Sequence, residues 1–231
     1  MSAAVPVLTL DGPSGSGKGT VGLILAARLG WHFLDSGALY RVLGVAAERA
    51  GRAIEDESGM AGLAAAMKLD FLPEEGGVRV ILDGEDVGGA LRTEAAGHRA
   101  SVLAAQPAVR AALLAKQRAF RQAPGLVADG RDMGTTVFPD ALLKVFLTAT
   151  PEARAERRYK QLKDKGFDVN LPRLLDEIRE RDARDAGRSA SPLRPAEDAY
   201  SLDTTSLGIA QVEERITDLL RARGVDVVVG D

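Results

Sequence analysis

A glycine-rich segment directly after an apolar run constrains this chain more than any other feature. Residues 5–10 form the apolar run, and residues 12–20 follow with the sequence GPSGSGKGT. Because glycine lacks a side chain, backbone N–H groups in such a loop can turn onto phosphate oxygens, while Lys18 reaches the outer phosphates. The N-terminus of a following helix adds partial positive charge. The segment therefore predicts a strand, a phosphate-binding loop and a helix, with a nucleotide as ligand.

The same segment also satisfies the glycine spacing of a dinucleotide-binding turn. Gly17, Gly19 and Gly22 fit the pattern GxGxxG, and Asp35 falls about where such a fold places its ribose-binding acid. A dinucleotide-binding turn starts almost directly after its strand, whereas Gly17 lies seven residues beyond Leu10. That length suits a loop wrapped around phosphates. The spacing therefore favours a phosphate-binding loop over a dinucleotide-binding turn or an incidental glycine-rich turn.

Gly19 is a departure from many phosphate-binding loops. At this position many of them carry the Ser or Thr that holds Mg²⁺, but here Thr20 stands one residue later. The order Gly-Lys-Gly-Thr is similar to the loop of nucleoside monophosphate kinases and less similar to that of GTPases or motor ATPases. No Asn-Lys-x-Asp sequence occurs, so we do not expect guanine to be recognised by that motif.

Composition narrows the class of protein. The 231 residues allow one domain with an insertion or two small domains. The absence of cysteine excludes disulfides and thiolate metal sites, and a net charge of −3 argues against a dedicated nucleic-acid binder. The first residues do not have the pattern of a secretory signal, and no apolar run approaches the ~18 residues of a membrane helix. We therefore expect a cytoplasmic protein with neither nucleic acid nor membrane as a partner.

Short apolar runs alternate with longer helical patterns, which predicts a parallel sheet covered by helices. The predicted strands cover residues 7–10, 31–34, 126–128, 142–147 and 200–202. The predicted helices cover residues 18–29, 38–50, 93–105, 107–121, 151–163, 171–185 and 208–223. Between residues 69 and 87 two alternating runs flank a Glu-Glu-Gly-Gly turn, which predicts an inserted β-hairpin.

Three arginine-containing segments are candidates for binding a second phosphorylated ligand. Arg41 follows one predicted strand, Arg131 follows another in the sequence Asp-Gly-Arg-Asp, and residues 181–188 close a predicted helix. Ligands of open α/β sheets bind beyond the carboxyl ends of the strands, and guanidinium groups suit bidentate phosphate contacts. Each segment could instead be solvated surface. That alternative is weakest for residues 129–132, because charged side chains directly after a buried strand pack poorly.

Five segments, in order, resemble bacterial members of the cytidylate kinase family, which are P-loop nucleoside monophosphate kinases. They are residues 12–20, 34–41, 99–101, 129–135 and 181–185, and the resemblance extends over nearly the whole chain. It implies an α/β, three-layer P-loop fold with a five-stranded parallel sheet flanked by helices. It further implies a single kinase domain with its core at 1–62, 90–150 and 186–231, a monophosphate-binding subdomain with an inserted antiparallel sheet at 63–89, and a helical lid at 151–185.

The resemblance also implies an activity, which is transfer of the γ-phosphate of ATP to CMP or dCMP in pyrimidine nucleotide metabolism, with Mg²⁺ and by a monomer. ATP would be held by Gly12, Pro13, Ser14, Gly15, Ser16, Gly17, Lys18, Gly19 and Thr20. The CMP phosphate would be held by Ser36, Arg41 and Arg131, the cytosine edge by Ser101, Arg110 and Asp132, and the sugar hydroxyls by Arg181 and Asp185. The catalytic residues would be Lys18, Arg131 and Arg188, with Arg188 near the transferring phosphate.

The chemistry of cytosine agrees with the place of Asp132 in this assignment. Cytosine presents an amino donor at N4, which a carboxylate accepts, and Arg110 could donate to the O2 and N3 acceptors. Uracil presents a carbonyl oxygen at position 4, which would face Asp132 unfavourably. We therefore expect a preference for CMP over UMP.

Two carboxylates and one charged segment have competing interpretations. Asp35 and Asp129 end predicted strands and are candidates for holding Mg²⁺ through water, or are caps of a loop or helix. The turn at residues 163–170 is predicted to be the moving part of the lid, which would exclude water from the reaction. An alternating-charge surface helix is the other interpretation of this segment.

Two other classes of function stay open at this point. One is a small-metabolite kinase of the shikimate kinase type on the same scaffold. The other is a nucleotide-binding module without catalytic activity. A screen of phosphate acceptors separates the first from a monophosphate kinase, and ATP binding without acceptor-dependent turnover would indicate the second.

Overall fold

The computed structural model describes residues 4–74, 77–91, 93–164 and 166–227. The chain divides into two compact units, of which the first comprises the chain up to Leu34 and from Phe120 onward, and the second spans Asp35–Ala119. The strands are β1 (Val7–Asp11), β2 (His32–Asp35), β3 (Leu69–Glu74), β4 (Gly77–Leu82), β5 (Glu85–Asp86), β6 (Leu126–Gly130), β7 (Leu143–Thr148) and β8 (Tyr200–Asp203). The helices are α1 (Lys18–Leu29), α2 (Ser36–Arg49), α3 (Glu57–Ala66), α4 (Gly88–Leu91), α5 (Glu94–Leu103), α6 (Pro107–Arg118), α7 (Pro151–Asp164), α8 (Leu171–Ala186) and α9 (Ile209–Arg221), and a π-helical turn covers Met133–Val137.

Five strands form one sheet in the order β2-β6-β1-β7-β8. The central strand β1 pairs in parallel with β6 and β7, with Leu8 opposite Val127 on one side and Leu143 on the other, and β8 continues the parallel pairing beside β7. Every residue of β1 and β6 is buried, as expected where helices cover both faces of a parallel sheet. The prediction of a five-stranded parallel sheet flanked by helices is therefore confirmed.

The core of the first unit is aliphatic. Leu8, Leu10, Leu25, Val145 and Ile216 are among the buried side chains that join β1 and β7 to α1 and α9. Burial of such side chains stabilises the fold by roughly 1.5–3 kcal/mol each, so the sheet and its helices form one packed layer structure. Because these strands run parallel, the carboxyl ends of β1, β6, β7 and β8 lie along one edge of the sheet.

Helix ends follow their local sequence signals. α1 ends as predicted at Gly30, which adopts a left-handed φ of 63°. α8 begins as predicted after Asn170, whose side chain accepts a hydrogen bond from the amide of Arg173. α2 begins two residues earlier than predicted, because the carboxylate of Asp35 accepts from the amide of Ala38 and caps the helix at Ser36.

The second unit contains a separate antiparallel sheet in the order β3-β4-β5, with Leu69 opposite Leu82. The inserted hairpin is confirmed, and β5 adds a third strand that the sequence did not indicate. Residues 75 and 76 of the predicted turn lie outside the described residues. α3 was also not predicted, because its Ala- and Gly-rich sequence has no clear apolar face. The Asp56 side chain caps α3 by accepting from the amide of Gly59.

The predicted division into core, monophosphate-binding subdomain and lid stays a prediction. The inserted sheet belongs to the larger second unit, which also contains α2, α3, α5 and α6. The predicted lid, α7 with α8, belongs to the first unit, and residue 165 in its connecting turn lies outside the described residues.

Candidate active site

The glycine-rich loop joins β1 to α1 in the arrangement that the sequence predicts. Gly17 is the N-cap of α1 with a left-handed φ of 92°, a conformation that favours glycine. Gly12 packs so closely on β7 that a side chain would overlap the carbonyl oxygen of Leu147. Gly17 is therefore required by its backbone conformation, and Gly12 is required by its close packing on β7.

Carbonyl oxygens of the loop accept hydrogen bonds from side chains. Nζ of Lys18, which is buried, donates to the carbonyl oxygen of Pro13 at 2.9 Å. The hydroxyl of Thr204, after β8, lies 3.1 Å from the carbonyl oxygen of Ser16 and 2.9 Å from that of Thr148, so its single hydrogen is shared between the two acceptors. These bonds fix the direction of the loop carbonyls, so the loop has a defined backbone shape.

Two arginines of α7 also contact the loop region. Arg154 is almost fully buried, and its Nη1 donates to the carbonyl oxygen of Ser14 at 3.1 Å. Arg157 donates to the carbonyl oxygens of Thr204 and Thr205 in the segment after β8. The sequence analysis assigned no role to either arginine. Their positioning roles were missed because they depend on contacts between residues distant in sequence.

Asp129 lies beside the loop at the end of β6. One of its carboxylate oxygens is 3.9 Å from Nζ of Lys18, and the other would be 3.0 Å from a Cβ built on Gly19. The carboxylate therefore occupies the space next to the position where many related loops carry a Ser or Thr. Thr20, one residue later, is exposed.

An ion-pair cluster around the buried carboxylate of Asp185 brings together three of the predicted acceptor residues. Nε of Arg131 donates to Oδ2 of Asp185 at 3.0 Å, and Nη2 of Arg188 donates to Oδ1 of the same carboxylate at 2.5 Å. Burial alone would raise the pKa of Asp185, but the charges of Arg131, Arg188 and Arg181 outweigh it and hold that pKa below its ordinary value. The cluster is thus two guanidinium groups held in place by one ionised carboxylate.

Asp132 is buried at the start of the π-helical turn. Its carbonyl oxygen accepts from the amides of Thr136 and Val137, at 2.9 and 3.2 Å. π-helical turns occur frequently at functional sites. The sequence predicted Asp132 as a site residue but not this turn, because a short π-helical segment has no periodicity of its own.

Asp11 is a buried residue of this region that the sequence analysis did not select. It ends β1, and its two carboxylate oxygens accept from the amides of Met133 and Gly134, each at 2.8 Å. Burial raises the pKa of Asp11 to about 7, against the lowering effect of the two amide bonds, and the nearby charges of Asp132 and Asp129 add to the increase. An acidic residue directly after an apolar run was the available signal.

Arg181 lies on α8 in the first unit, and the other predicted acceptor residues belong to the second unit. Ser36 is buried at the first position of α2, and Arg41, one turn later, donates from Nη1 to Oδ2 of Asp35 at 3.1 Å. Ser101 is buried on α5. Arg110 on α6 donates to the carbonyl oxygen of Ala104 at 3.0 Å, and its guanidinium lies 6.0 Å from the centre of the Tyr40 ring.

Within the described ranges, no group of three or more His, Cys, Asp or Glu side chains is arranged to hold a metal ion. Among the same residues, none of the helices has the length and apolar character needed to span a bilayer.

A glycine-rich loop with a buried lysine, set after the central strand of a parallel sheet, defines a P-loop nucleotide-binding protein. The family described as cytidylate kinase matches residues 8–222. A cytidylate kinase from Pseudomonas entomophila is 58% identical over 225 residues, covering 96% of this chain and 99% of the relative. A cytidylate kinase from Stutzerimonas stutzeri is 59% identical over 218 residues, covering 94% of this chain and 95% of the relative. The chain belongs to the cytidylate kinase family, which confirms the resemblance seen in the sequence.

Solved structures match the chain at lower identity. Shikimate kinase from Acinetobacter baumannii, in complex with shikimate, is 20% identical, with a TM-score of 0.43 and 96% of each chain covered.

Proposed function

We propose that this protein transfers the γ-phosphate of ATP to CMP or dCMP, giving ADP and CDP or dCDP. The observation that carries the proposal is the pair of guanidinium groups, partly buried Arg131 and buried Arg188, on one ionised carboxylate, Asp185, in the same unit as the glycine-rich loop. Phosphoryl transfer between two nucleotides needs positioned cations more than covalent help from the protein. Membership of the cytidylate kinase family supports CMP or dCMP as the acceptor.

The donor site is the loop from Gly12 to Thr20. Its amides and the N-terminus of α1 would bind the phosphates of ATP, and Lys18 would exchange its bond to Pro13 for contacts with the outer phosphates. The loop carbonyls that are bonded to Arg154 and Thr204 support this role, because they leave the loop amides as the groups that can face an anion.

The acceptor site combines phosphate, base and sugar contacts. Ser36, Arg41 and Arg131 would hold the phosphate of the monophosphate. Ser101, Arg110 and Asp132 would contact the cytosine edge, and Arg181 and Asp185 the sugar hydroxyls. Arg188, nearly buried beside Asp185, would stabilise charge on the transferring phosphate.

In the reaction, an oxygen of the monophosphate forms a bond to the γ-phosphorus while the bond from that phosphorus to the bridging oxygen of ATP breaks. ADP leaves with the bonding electrons. No strong general base is required, because the attacking phosphate oxygen is already ionised. Lys18, Arg131 and Arg188 would neutralise charge on the transferring phosphoryl group, which is the main requirement of this reaction.

Asp129 is the better of the two carboxylates proposed to hold Mg²⁺ through water. Its Oδ2 lies beside Gly19 and its Oδ1 is 3.9 Å from Nζ of Lys18, next to the loop that would hold the phosphates. Asp35 instead caps α2 and pairs with Arg41, accepting hydrogen bonds from Ala38 and Arg41 within the second unit. Mg²⁺ bound to the phosphates would neutralise part of their charge.

We also propose where the protein acts in the cell and which part of it moves. The protein would act as a cytoplasmic monomer in pyrimidine nucleotide metabolism, with nucleotides as its small-molecule partners and without nucleic acid or membrane. The α7–α8 pair would close as a lid over the donor phosphates, since water reaching the site would convert transfer into hydrolysis.

A screen of phosphate acceptors tests the proposed function. ADP release would be measured with ATP and each of CMP, dCMP, UMP, AMP, GMP and shikimate. We expect turnover with CMP and dCMP, weaker turnover with UMP, and none with shikimate. Turnover with shikimate alone, or ATP binding with no acceptor-dependent turnover, would overturn the proposal in favour of a metabolite kinase or a non-catalytic module.

A further inference from the structure

The carboxylate of Asp11 makes two hydrogen bonds that serve one short segment. Oδ1 accepts from the amide of Met133 and Oδ2 from the amide of Gly134, each at 2.8 Å, and the side chain is buried. A carboxylate without a cation partner is costly to bury, and the fold retains this one at the end of its central strand. The two bonds therefore hold the backbone of Met133 and Gly134 against the end of β1.

The bonded amides open the π-helical turn directly after Arg131 and Asp132. Asp11 lies opposite Gly130 in the β1–β6 register, so the segment leaves the sheet at the level of its carboxylate. The next two residues, Arg131 and Asp132, are in the proposed acceptor site, and the two after them are bonded to Asp11. Asp11 thus fixes the chain on the far side of both site residues, while the sheet fixes it on the near side.

Close packing under the turn adds a second restraint. A Cβ built on Gly134 would lie 3.0 Å from the hydroxyl oxygen of Thr9 and 3.1 Å from Cδ of Lys144. The backbone at Gly134 therefore rests directly on β1 and β7. Its position along the sheet is then set by the hydrogen bond to Asp11, since packing against a flat surface does not specify direction.

We propose that Asp11 is a positioning residue for the acceptor site, which holds the Arg131–Asp132 segment so that its guanidinium and carboxylate face the phosphate and base of the monophosphate. This inference rests on the proposed function. It predicts a larger defect for the acceptor than for ATP, because the backbone of the loop that would bind ATP is held by bonds of its own from Lys18, Arg154 and Thr204.

Asp11→Asn tests the inference with little change of shape. The amide of asparagine keeps one acceptor oxygen but presents an N–H₂ donor to the second backbone N–H, so one bond is lost and two donors are opposed. At pH 8, with ATP saturating, we expect the KM for CMP to increase about tenfold or more, in line with an unsatisfied buried group. We expect the KM for ATP to change less than about twofold, and the kcat/KM ratio of CMP to UMP to fall.

Asp140→Asn is the matched control. Asp140 is an exposed carboxylate just before β7 that pairs with Arg121, so its replacement removes a charge from the same unit without touching the turn. This control should retain the kinetic constants of the unmodified protein. Asp11→Ser, whose hydroxyl can accept from one amide, replaces Asp11→Asn if the latter does not fold, with the same selective defect expected.

The outcomes separate this inference from the proposed function. Absence of CMP turnover in the unmodified protein would refute the function itself. CMP turnover in the unmodified protein with equal increases in both KM values, or with only a lower melting temperature in the variant, would assign Asp11 to general stability and overturn the positioning role. A selective increase in the KM for CMP with loss of CMP-over-UMP preference would establish it.

Discussion

Arg154 and Asp182 join α7 to α8 by a two-pronged ion pair. Nη1 of Arg154 donates to Oδ1 of Asp182 at 3.0 Å, and Nη2 donates to Oδ2. Nη1 also reaches the carbonyl oxygen of Ser14 in the glycine-rich loop, and Nε donates to the carbonyl oxygen of Ala149. One buried side chain therefore links the proposed lid, the loop before it and the proposed donor site.

We expect Arg154→Ala to lower the free energy of unfolding by about 2 kcal/mol, less than for a wholly buried pair because Asp182 is partly exposed. The KM for ATP should increase because the loop loses a restraint. Urea denaturation and steady-state kinetics measure the two effects. Arg179→Ala is the control, since Arg179 and Glu152 also bridge α7 and α8 but are exposed, and it should change stability by less than about 0.5 kcal/mol. Equal effects of the two substitutions would contradict the assigned role of Arg154.

Lys18→Ala should reduce kcat for CMP phosphorylation by at least about 10³-fold, because no other lysine in the loop can neutralise charge on the transferring phosphate. Single-turnover measurements with saturating ATP separate this loss from weaker ATP binding. Lys68→Ala, at an exposed position of the second unit, controls for the loss of a positive charge. Near-normal turnover in Lys18→Ala would remove this residue from the mechanism.

Asp132→Ala should reduce the preference for CMP over UMP by roughly 1–3 kcal/mol, the value of a lost base-edge contact. The reason is that alanine neither accepts from the N4 amino group of cytosine nor repels the O4 carbonyl of uracil. The ratio of kcat/KM values for the two acceptors measures the effect. If this ratio were the same in the variant and in the unmodified protein, Asp132 would not read the base.

The stability of the protein should depend on pH through Asp11. Its pKa is about 7 in the folded chain against 3.8 for an ordinary aspartate, because burial disfavours the charged form. The protonated group therefore contributes stability that is fully present below pH 3.8 and is lost as pH rises through about 7. The charges of nearby Asp132 and Asp129 add to this increase in the pKa of Asp11.

The comparison of unmodified protein and Asp11→Asn between pH 5.5 and 8 isolates this contribution. Unfolding free energies from urea titrations should fall with rising pH by up to ~1.4 kcal/mol per unit more steeply in the unmodified protein. Asp140→Asn should keep the steep slope, because the pKa of Asp140 lies below its ordinary value, mainly through its hydrogen bond with Arg121, and so it stays ionised over this range. Parallel slopes for the unmodified protein and Asp11→Asn would contradict the raised pKa.

The sequence was sufficient to predict those features of the fold and site that depend on local interactions. Gly30 and Asn170 marked helix ends, and the segment around Lys18 marked the donor loop, because each depends on neighbours a few residues away. The π-helical turn and the role of Asp11 depend on contacts between residues more than 100 positions apart, such as the bond from Met133 to Asp11. No local pattern records such a pairing.

The burial of the acceptor residues could also not be predicted from the sequence alone. The charged segment after β6 was recognised from its position, but the sequence alone left open whether Arg181, Asp185 and Arg188 were solvated. In the fold, Asp185 is almost wholly buried between two guanidinium groups, a result that follows from how α8 packs rather than from its composition.

The bonds from Arg154 and Thr204 to carbonyl oxygens of the glycine-rich loop bear on the thermodynamics of nucleotide capture. A loop that the rest of the protein already holds in shape loses little conformational entropy when a ligand arrives. Ordering the loop backbone would therefore cost little of the free energy of ATP binding. A substitution of Arg154 or Thr204 should accordingly weaken ATP binding, although neither side chain is proposed to contact ATP.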